Sequence, residues 1–441
     1  MRIGMVTACY KPVINGVTNM VSLYKRHLDA AGHDVTIFTL GDPDPVGDEP
    51  GVVRSPAIAI GDYGYYISVR YSAEAQALMR QQEIIHCHHL FMSVEMAHRY
   101  ARCPIVYTNH TRYDLYTGSY ISLPQPAADA IMRQIWPEFT DFADVVITPS
   151  QSLRQVMLDF GVRRPIHVIE NGVDLRPFRR PKQPYTKCAL GIPDSAVLLV
   201  YVGRLSAEKD PNVLLEQFMI ARDIVPNLHL MLVGKGPLQA ELSERAHHLG
   251  VFDQVHFAGP VPYDEVPNYL AAADIFVTAS VTEVHPLTVI EAMATGLPVV
   301  AISSPGLLDT VESGHSGILT TQPEGGLAAA LVGLAMNPER RQQMGAAART
   351  ASERFDIRNT VARTLALYEE LYVSRPDLQR KRPHGRAFLS GNKVQPLVEQ
   401  LGRLLRQPDK LEPLRERPTS WKWSGPKSSR KRENHRDNWQ R

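Results

Sequence analysis

RIGMVTACYKPVINGVTNMVSLYKRHLDAAGHDVTIFTL, residues 2–40, decides the fold. RIGMVTACY (2–10) is a short, mostly apolar run that suits a buried strand. VTNMVSLYKRHLDAAG then repeats apolar residues at Val17, Met20, Val21, Tyr24 and Leu28, the spacing of a helix with one buried face, and stops at Gly32. DVTIFTL (34–40) supplies a second strand. Strand, loop, helix, strand in this order is the unit from which a parallel sheet covered by helices is built.

The alternation continues through EIIHCHH (83–89), PIVYTNH (104–110), DVVITPS (144–150) and IHVIENG (166–172). RPFRRPKQPYTK (176–187), with three prolines and five cations, interrupts it as a linker would. The rhythm restarts with AVLLVYVGR (196–204), LHLMLVG (228–234), QVHFAG (254–259), DIFVTAS (274–280) and PVVAIS (298–303). The expectation is an α/β chain of two doubly wound Rossmann-like domains, 1–183 and 184–354, with a helix at about 355–374 completing the first. Ligands of open parallel sheets settle outside the carboxyl ends of the strands, so the cleft between the domains is the default site.

A chain of 441 residues exceeds one ordinary core, which agrees with two domains. The net charge of +2 hides an asymmetry: residues 375–441 hold 18 Lys or Arg against 7 Asp or Glu, or +11, leaving 30 minus 39, or −9, for residues 1–374. Residues 376–441 are rich in Pro, Arg, Lys and Ser, and disorder is expected there apart from the amphipathic piece PLVEQLGRLLR (396–406). Each cation near an anionic leaflet contributes on the order of 1 kcal/mol, so this tail could hold the protein at a membrane surface. Trp421, Trp423 and Trp439 suit the same interface. A solvated tail or nucleic-acid affinity is the competing reading, with no specific nucleic acid implied. Cys9, Cys87, Cys103 and Cys188 are scattered, so neither a disulfide framework nor a metal knuckle is signalled and a reducing cytoplasm fits. No signal peptide is read, and no apolar run reaches the roughly 18 to 20 residues of a membrane span. Any membrane contact is therefore peripheral.

Five stretches could carry chemistry. YKPVINGVTN (10–19) has one glycine, Gly16, before a helix; it lacks the three-glycine dinucleotide pattern, so a nicotinamide enzyme is poorly supported, but it allows close approach near a helix start. VGRLSAEKDP (202–211) places Arg204 and Lys209 just past a strand ending at Gly203, where two cations suit a diphosphate; a surface pair with Glu208 is the plainer alternative. LVGKGP (232–237) puts Gly234 at another strand end, facing a nucleotide or only making a turn, with Pro237 expected at the first position of the next helix. YTNHTRYDLYTGSY (107–120) combines His110 with Arg112, Tyr113, Tyr116 and Tyr120. His110 could position or polarise a hydroxyl, with a pKa suited to proton handling, whereas lone histidines are usually structural and tyrosines at helical spacing usually pack in a core.

TEVHPLTVIEAMATGLPVVA (282–301) is the fifth. Residues 287–294 read as a helix, with Gly296 as its stop and Pro286 near its first position, where a fixed φ helps and a missing N–H is no loss. Glu283 lies in the loop and Glu291 about five residues inside the helix, roughly 7 to 8 Å along the axis at about 1.5 Å per residue. Two carboxylates so placed can accept hydroxyl pairs from two parts of one ligand, while the helix start at Pro286, Leu287 and Thr288 faces a phosphate. One capping and one solvated glutamate is the alternative.

As a set in this order, NGVTN, HT (110–111), VGRLSAEKD, LVGKGP, ADIFVTAS and E-x7-E leading into EAMATGLPVVA resemble the retaining glycosyltransferases of family 4, which have the GT-B fold. The resemblance runs from Arg2 to about Tyr372. It implies an N-terminal acceptor domain and a C-terminal nucleotide-sugar domain, with Glu283 on the donor hexose, Glu291 on the ribose and Arg204 and Lys209 on the diphosphate. It also implies Gly16 near the donor and His110 beside the transferred sugar, with His110, Arg204, Lys209 and Glu283 as the catalytic set. Gly16, Gly203, Gly234, Pro286, Leu287, Thr288 and Glu291 would surround the donor, and Arg112, Tyr113 and Tyr116 would lie on the acceptor side. Neither a divalent metal nor a cofactor is implied, the nucleotide sugar being a substrate; DPD (42–44) only looks like a metal motif. HTRYDLY and TEVHPLTVIEA look most like bacterial enzymes that glucosylate diacylglycerol, implying UDP-glucose, a lipid acceptor and a cytoplasmic enzyme peripheral to the membrane. GDP-mannose-dependent transfer to phosphatidylinositol, nucleotide-sugar epimerisation and non-catalytic binding are the alternatives. Many relatives carry glycine where this chain has Pro286, so one backbone phosphate contact is expected to be missing.

Overall fold

The first strand, Arg2–Val6 (β1), is flanked by Asp34–Leu40 (β2) on one side and Ile84–Cys87 (β6) on the other. This and all else described comes from a computed structural model, which covers residues 1–60, 65–68, 70–115, 125–321 and 325–374. The expectations for the tail 376–441 and for Tyr116 lie outside those residues. Beyond β2 stands Val52–Ser55 (β3), and beyond β6 stand Ile105–Thr108 (β7), Val145–Thr148 (β8) and Ile166–Val168 (β9). The result is a seven-stranded parallel sheet in the order β3-β2-β1-β6-β7-β8-β9. Ile58–Ile60 (β4) and Tyr65–Ile67 (β5) pair antiparallel as a separate hairpin.

A second parallel sheet has six strands in the order β12-β11-β10-β13-β14-β15, built from Val197–Val202 (β10), Leu228–Val233 (β11), Val255–Gly259 (β12), Ile275–Thr278 (β13), Val299–Ile302 (β14) and Gly317–Thr320 (β15). Both sheets change direction of growth beside their first strand, β1 in one and β10 in the other. Such switch points open a crevice at the carboxyl ends. Three elements were not anticipated: β3, β15 and the hairpin, each of three or four residues per strand.

The period of two along a strand explains the layering. In β10, Leu199 and Tyr201 join the core beneath the helix Pro211–Ile224, while Leu198 and Val200 join the opposite core with Leu175, Phe178 and the helix Leu287–Thr295. Helix Gly16–Ala30 begins at Asn15, whose side chain accepts from the N–H groups of Val17 and Thr18, both at 2.9 Å, while Thr18 Oγ1 accepts from Asn15 N at 2.9 Å. That reciprocal cap typically contributes about 1 kcal/mol.

The last described helix, Ile357–Ser374, returns to the first sheet. Its Val361, Leu367, Tyr368 and Leu371 share a core with Ile3, Val21, Ile84 and Val106, and Thr364 Oγ1 lies 3.0 Å from the hydroxyl of Tyr24. Two connections therefore join the halves. They are fastened together where Val173 N donates to Phe355 O at 2.9 Å and Ile357 N donates to Val173 O at 3.0 Å.

Candidate active site

The carboxyl ends of β10, β11 and β12 form one backbone-bonded ledge. Gly203 N donates to Val233 O at 3.0 Å, Leu205 N to Lys235 O at 3.1 Å, and Gly234 N to Gly259 O at 2.9 Å. Gly234 has φ +135°, and a Cβ there would stand 2.0 Å from the carbonyl oxygen of Gly203. Glycine at 234 is thus required for the two loops to lie backbone against backbone. Pro237 precedes the next helix, Gln239–His248, by two residues, so it sits in the turn and not at the first helical position.

On this ledge Arg204 is partly exposed, and its carbonyl oxygen accepts the Tyr201 hydroxyl at 2.9 Å. Lys209 ends a short 3-10 turn, Ala207–Lys209, before Pro211 opens the following helix. Glu208 accepts from Ser206 Oγ at 2.6 Å, and Lys209 Nζ lies 2.6 Å from Glu283 Oε1. A Lys209–Glu208 surface pair is therefore replaced by an ion pair across two loops. The two side chains are only 22% and 16% exposed, so solvent screens them incompletely. Thr282 Oγ1 donates to Glu208 O at 3.0 Å and ties the same loops again. A brace not anticipated from sequence is Gly306, where a Cβ would stand 2.3 Å from Glu283 O and 2.4 Å from Val284 O.

Helix Leu287–Thr295 starts where expected: Pro286 is its N-cap, with ψ 112°, and Leu287 is the first helical residue. The chain turns helical only after proline's extended ψ. Pro286 supplies no side-chain cap, so among the described residues the first N–H groups of the helix stand at its positive pole without an N-cap partner. Leu287 and Thr288 are partly exposed there. From the other half, Gly16 faces this end: a Cβ on it would lie 3.8 Å from Leu287 Cδ1. Helix starts from the two sheets thus meet across the cleft. His285, 4% exposed, joins the loop to the crossing of the connections, its ring edge-on to Phe355 at 5.0 Å and its carbonyl accepting from Asn171 Nδ2 at 3.4 Å.

Glu291 is neither a cap nor solvated. It is 2% exposed, and its Oε1 accepts the Tyr263 hydroxyl at 2.8 Å. Burial pushes its pKa up to about 7, against a smaller lowering by that hydrogen bond. A carboxylate held this way gains from any hydroxyl donor that enters.

Across the cleft, His110 lies two residues beyond β7. Its ring stacks on His88 with centroids 5.4 Å apart, and its Nε2 lies 3.2 Å from His88 Nδ1. Burial, with a contribution from His89, pushes the His110 pKa down to about 3. His110 is thus neutral near pH 7, and the expectation of a proton-handling pKa does not hold; polarising a hydroxyl by one hydrogen bond remains open to it. His88 was not anticipated, although three histidines in HCHH (86–89) at a strand end were the visible signal. Arg112 is held by Asp114, Nη2 to Oδ2 at 2.7 Å and Nε to Oδ1 at 2.9 Å, with side chains 12% and 6% exposed. Tyr113 packs edge-on against Phe91 at 5.6 Å and Trp136 at 6.1 Å, while its hydroxyl accepts from Leu90 N at 3.2 Å. Tyr113 is partly exposed, so this packing leaves its acceptor-side placement open.

Residues 185–351 match the family described as glycosyl transferases group 1, and residues 14–176 match Glycosyltransferase Family 4. An alpha-monoglucosyldiacylglycerol synthase from Streptococcus pneumoniae is 31% identical over 332 residues, 72% of this chain and 75% of that protein. The chain belongs to the group 1, family 4 glycosyltransferases. A D-inositol 3-phosphate glycosyltransferase from Kribbella flavida is 28% identical over 388 residues, 80% of this chain and 90% of that protein. The glycosyltransferase has the GT-B fold: it superposes on HepE of Anabaena, crystallised with UDP and glucose, with a TM-score of 0.69 at 21% identity, over 84% of this chain and 100% of that one. Among the described residues, no helix is long and apolar enough to cross a membrane.

Proposed function

We propose that this glycosyltransferase moves glucose from UDP-glucose to 1,2-diacylglycerol with retention of configuration. The observation that carries the acceptor is Arg112, two residues after His110 in the chain, which Asp114 already holds in a two-pronged pair. A phosphorylated acceptor would need that charge free, whereas a neutral glycerol hydroxyl does not. The relative that glucosylates diacylglycerol supports the same choice. The D-inositol 3-phosphate relative favours a second reading, in which the acceptor is an inositol phosphate and Arg112 leaves Asp114 to bind it.

On this reading the diphosphate lies between Arg204, Lys209 and the uncapped start of helix Leu287–Thr295. Glu291 accepts the ribose hydroxyls and Glu283 those of the glucose. The bond from C1 to the diphosphate oxygen breaks, the acceptor oxygen bonds to C1 on the same face, and its proton passes to the departing phosphate. His110, uncharged, orients a hydroxyl of the glucose. The cations stabilise charge as it develops, the role in which such groups contribute most, and no metal or cofactor is required. The basic tail holds the enzyme at an anionic surface.

The test offers UDP-glucose or GDP-mannose with diacylglycerol in anionic vesicles, diacylglycerol in zwitterionic vesicles, or inositol 3-phosphate. Glucosyldiacylglycerol should form only from UDP-glucose, faster on anionic vesicles, with that advantage lost when residues 376–441 are removed. Preferential use of inositol 3-phosphate selects the second reading, and conversion of the sugar without any acceptor would identify an epimerase instead.

Glu291 adds a pH dependence. Its carboxylate form accepts two hydroxyls and its protonated form does not, and with a pKa near 7 the accepting form is lost as pH falls. The Kd for UDP-glucose should rise roughly tenfold per unit well below pH 7 and level off above it. Calorimetric titration from pH 5.5 to 8.5 reads this, and Glu291→Gln should flatten the curve.

A further inference from the structure

Glu291 sits in an apolar layer. Its neighbours Ile290, Ala292 and Met293 are buried in one core with Val266, Leu270 and Leu307. A carboxylate there needs a fixed donor, both to offset its burial and to set the rotation of its two oxygens. Among the described residues, the side chain that donates to it is Tyr263, at 2.8 Å.

Tyr263 is itself held in place. It opens the 3-10 turn Tyr263–Glu265, four residues past Gly259 at the end of β12, and the turn is closed by Glu265 N donating to Pro262 O at 3.0 Å. Its ring meets Phe178 edge-on at 6.2 Å. Glu265, at the other end of the turn, accepts from the Tyr185 hydroxyl at 3.2 Å. The phenol therefore reaches Glu291 from a separate loop, 28 positions away in sequence.

We propose that Tyr263 is a positioning residue for the nucleotide: by taking one lone pair of Glu291 Oε1, it turns the rest of the carboxylate toward the two hydroxyls of the donor ribose. This rests on the reading of Glu291 as the ribose-binding residue. A carboxylate offers about four lone-pair sites, so one hydrogen bond from tyrosine leaves room for a vicinal diol. Without the phenol the carboxylate can rotate, and each ribose hydroxyl meets an oxygen that is no longer fixed. The effect should vanish for a nucleotide that has no ribose hydroxyls.

The experiment measures Kd for UDP and for 2′,3′-dideoxy-UDP at pH 8, in the wild-type enzyme and in Tyr263→Phe, which removes one oxygen and keeps the ring. The wild type should prefer the ribonucleotide. Tyr263→Phe should weaken UDP binding by about 5- to 20-fold, in the range of one hydrogen bond to a charged group, and leave dideoxy-UDP binding unchanged. Equal weakening of both nucleotides would mean a structural role and overturn the proposal, as would a preference equal to the wild type's. If the phenyl variant does not fold, Tyr263→His is read in the same way, and its preference must fall below that of the wild type. Failure of the wild type to discriminate would overturn the ribose reading of Glu291 itself, whereas discrimination retained in Tyr263→Phe overturns only the role of the phenol.

Discussion

Lys209→Ala and Arg204→Ala should each lower kcat by about 10²- to 10³-fold, the loss that follows removal of one donor to charge developing in a transition state. The two cations stand on the ledge at the end of β10, where the proposed function puts the diphosphate that takes up charge as the bond breaks. Lys209 Nζ lies 2.6 Å from Glu283 Oε1, so a bound donor must share or displace that pair. The size of the effect therefore depends on which partner is removed. Lys209→Ala removes the cation, while Glu283→Gln removes the carboxylate charge that competes with a diphosphate for it; the first should weaken UDP binding and the second tighten it, although both lose turnover. Glu208→Ala, which removes a carboxylate that accepts from Ser206 within its own turn, should stay within a few-fold of wild type and serves as the control. Steady-state glucosyl transfer and UDP titration read all four, and near-normal turnover of Lys209→Ala or Arg204→Ala would remove these residues from the catalytic set.

Gly234→Ala should be the most damaging single methyl in the second half. The added carbon would stand 2.0 Å from the Gly203 carbonyl oxygen at φ +135°, and both partners are backbone, so no side chain can swing away. A cost of about 3 kcal/mol or more is expected, since left-handed strain and overpacking act together. Gly250→Ala isolates the strain: its φ is +66° with nothing within 4 Å of the new carbon, and roughly 1 to 2 kcal/mol is expected. Urea midpoints of the two variants should differ accordingly, and Gly234→Ala should also bind UDP more weakly because Arg204 adjoins the displaced glycine. Equal midpoints would show that the ledge yields where the structure makes it rigid.

The alternation of strands and helices was legible because the long elements carry several periods of pattern: Gly16–Ala30 repeats its apolar face over 15 residues. β3 and β15 were not, since four residues hold too few repeats to separate a strand from a loop. Local features of the site were legible too, such as a carboxylate in a loop or a glycine before a helix. Pairings were not, because they depend on which loops the sheet order brings together. Lys209 meets Glu283 across 74 positions and Tyr263 meets Glu291 across 28. The state of His110 was misjudged for a related reason: a sequence shows the imidazole but not the burial that keeps it neutral.

The return of helix Ile357–Ser374 to the first sheet has a consequence for the order in which the chain matures on the ribosome. The second sheet is contiguous in sequence and can close once Thr320 and the helices after it have emerged. The first cannot, because Ile3, Val21, Ile84 and Val106 share a core with Tyr368 and Leu371, which are synthesised more than 260 residues later. The half made first is thus finished last. Until then its apolar face waits uncovered, and it is this half that needs protection during synthesis.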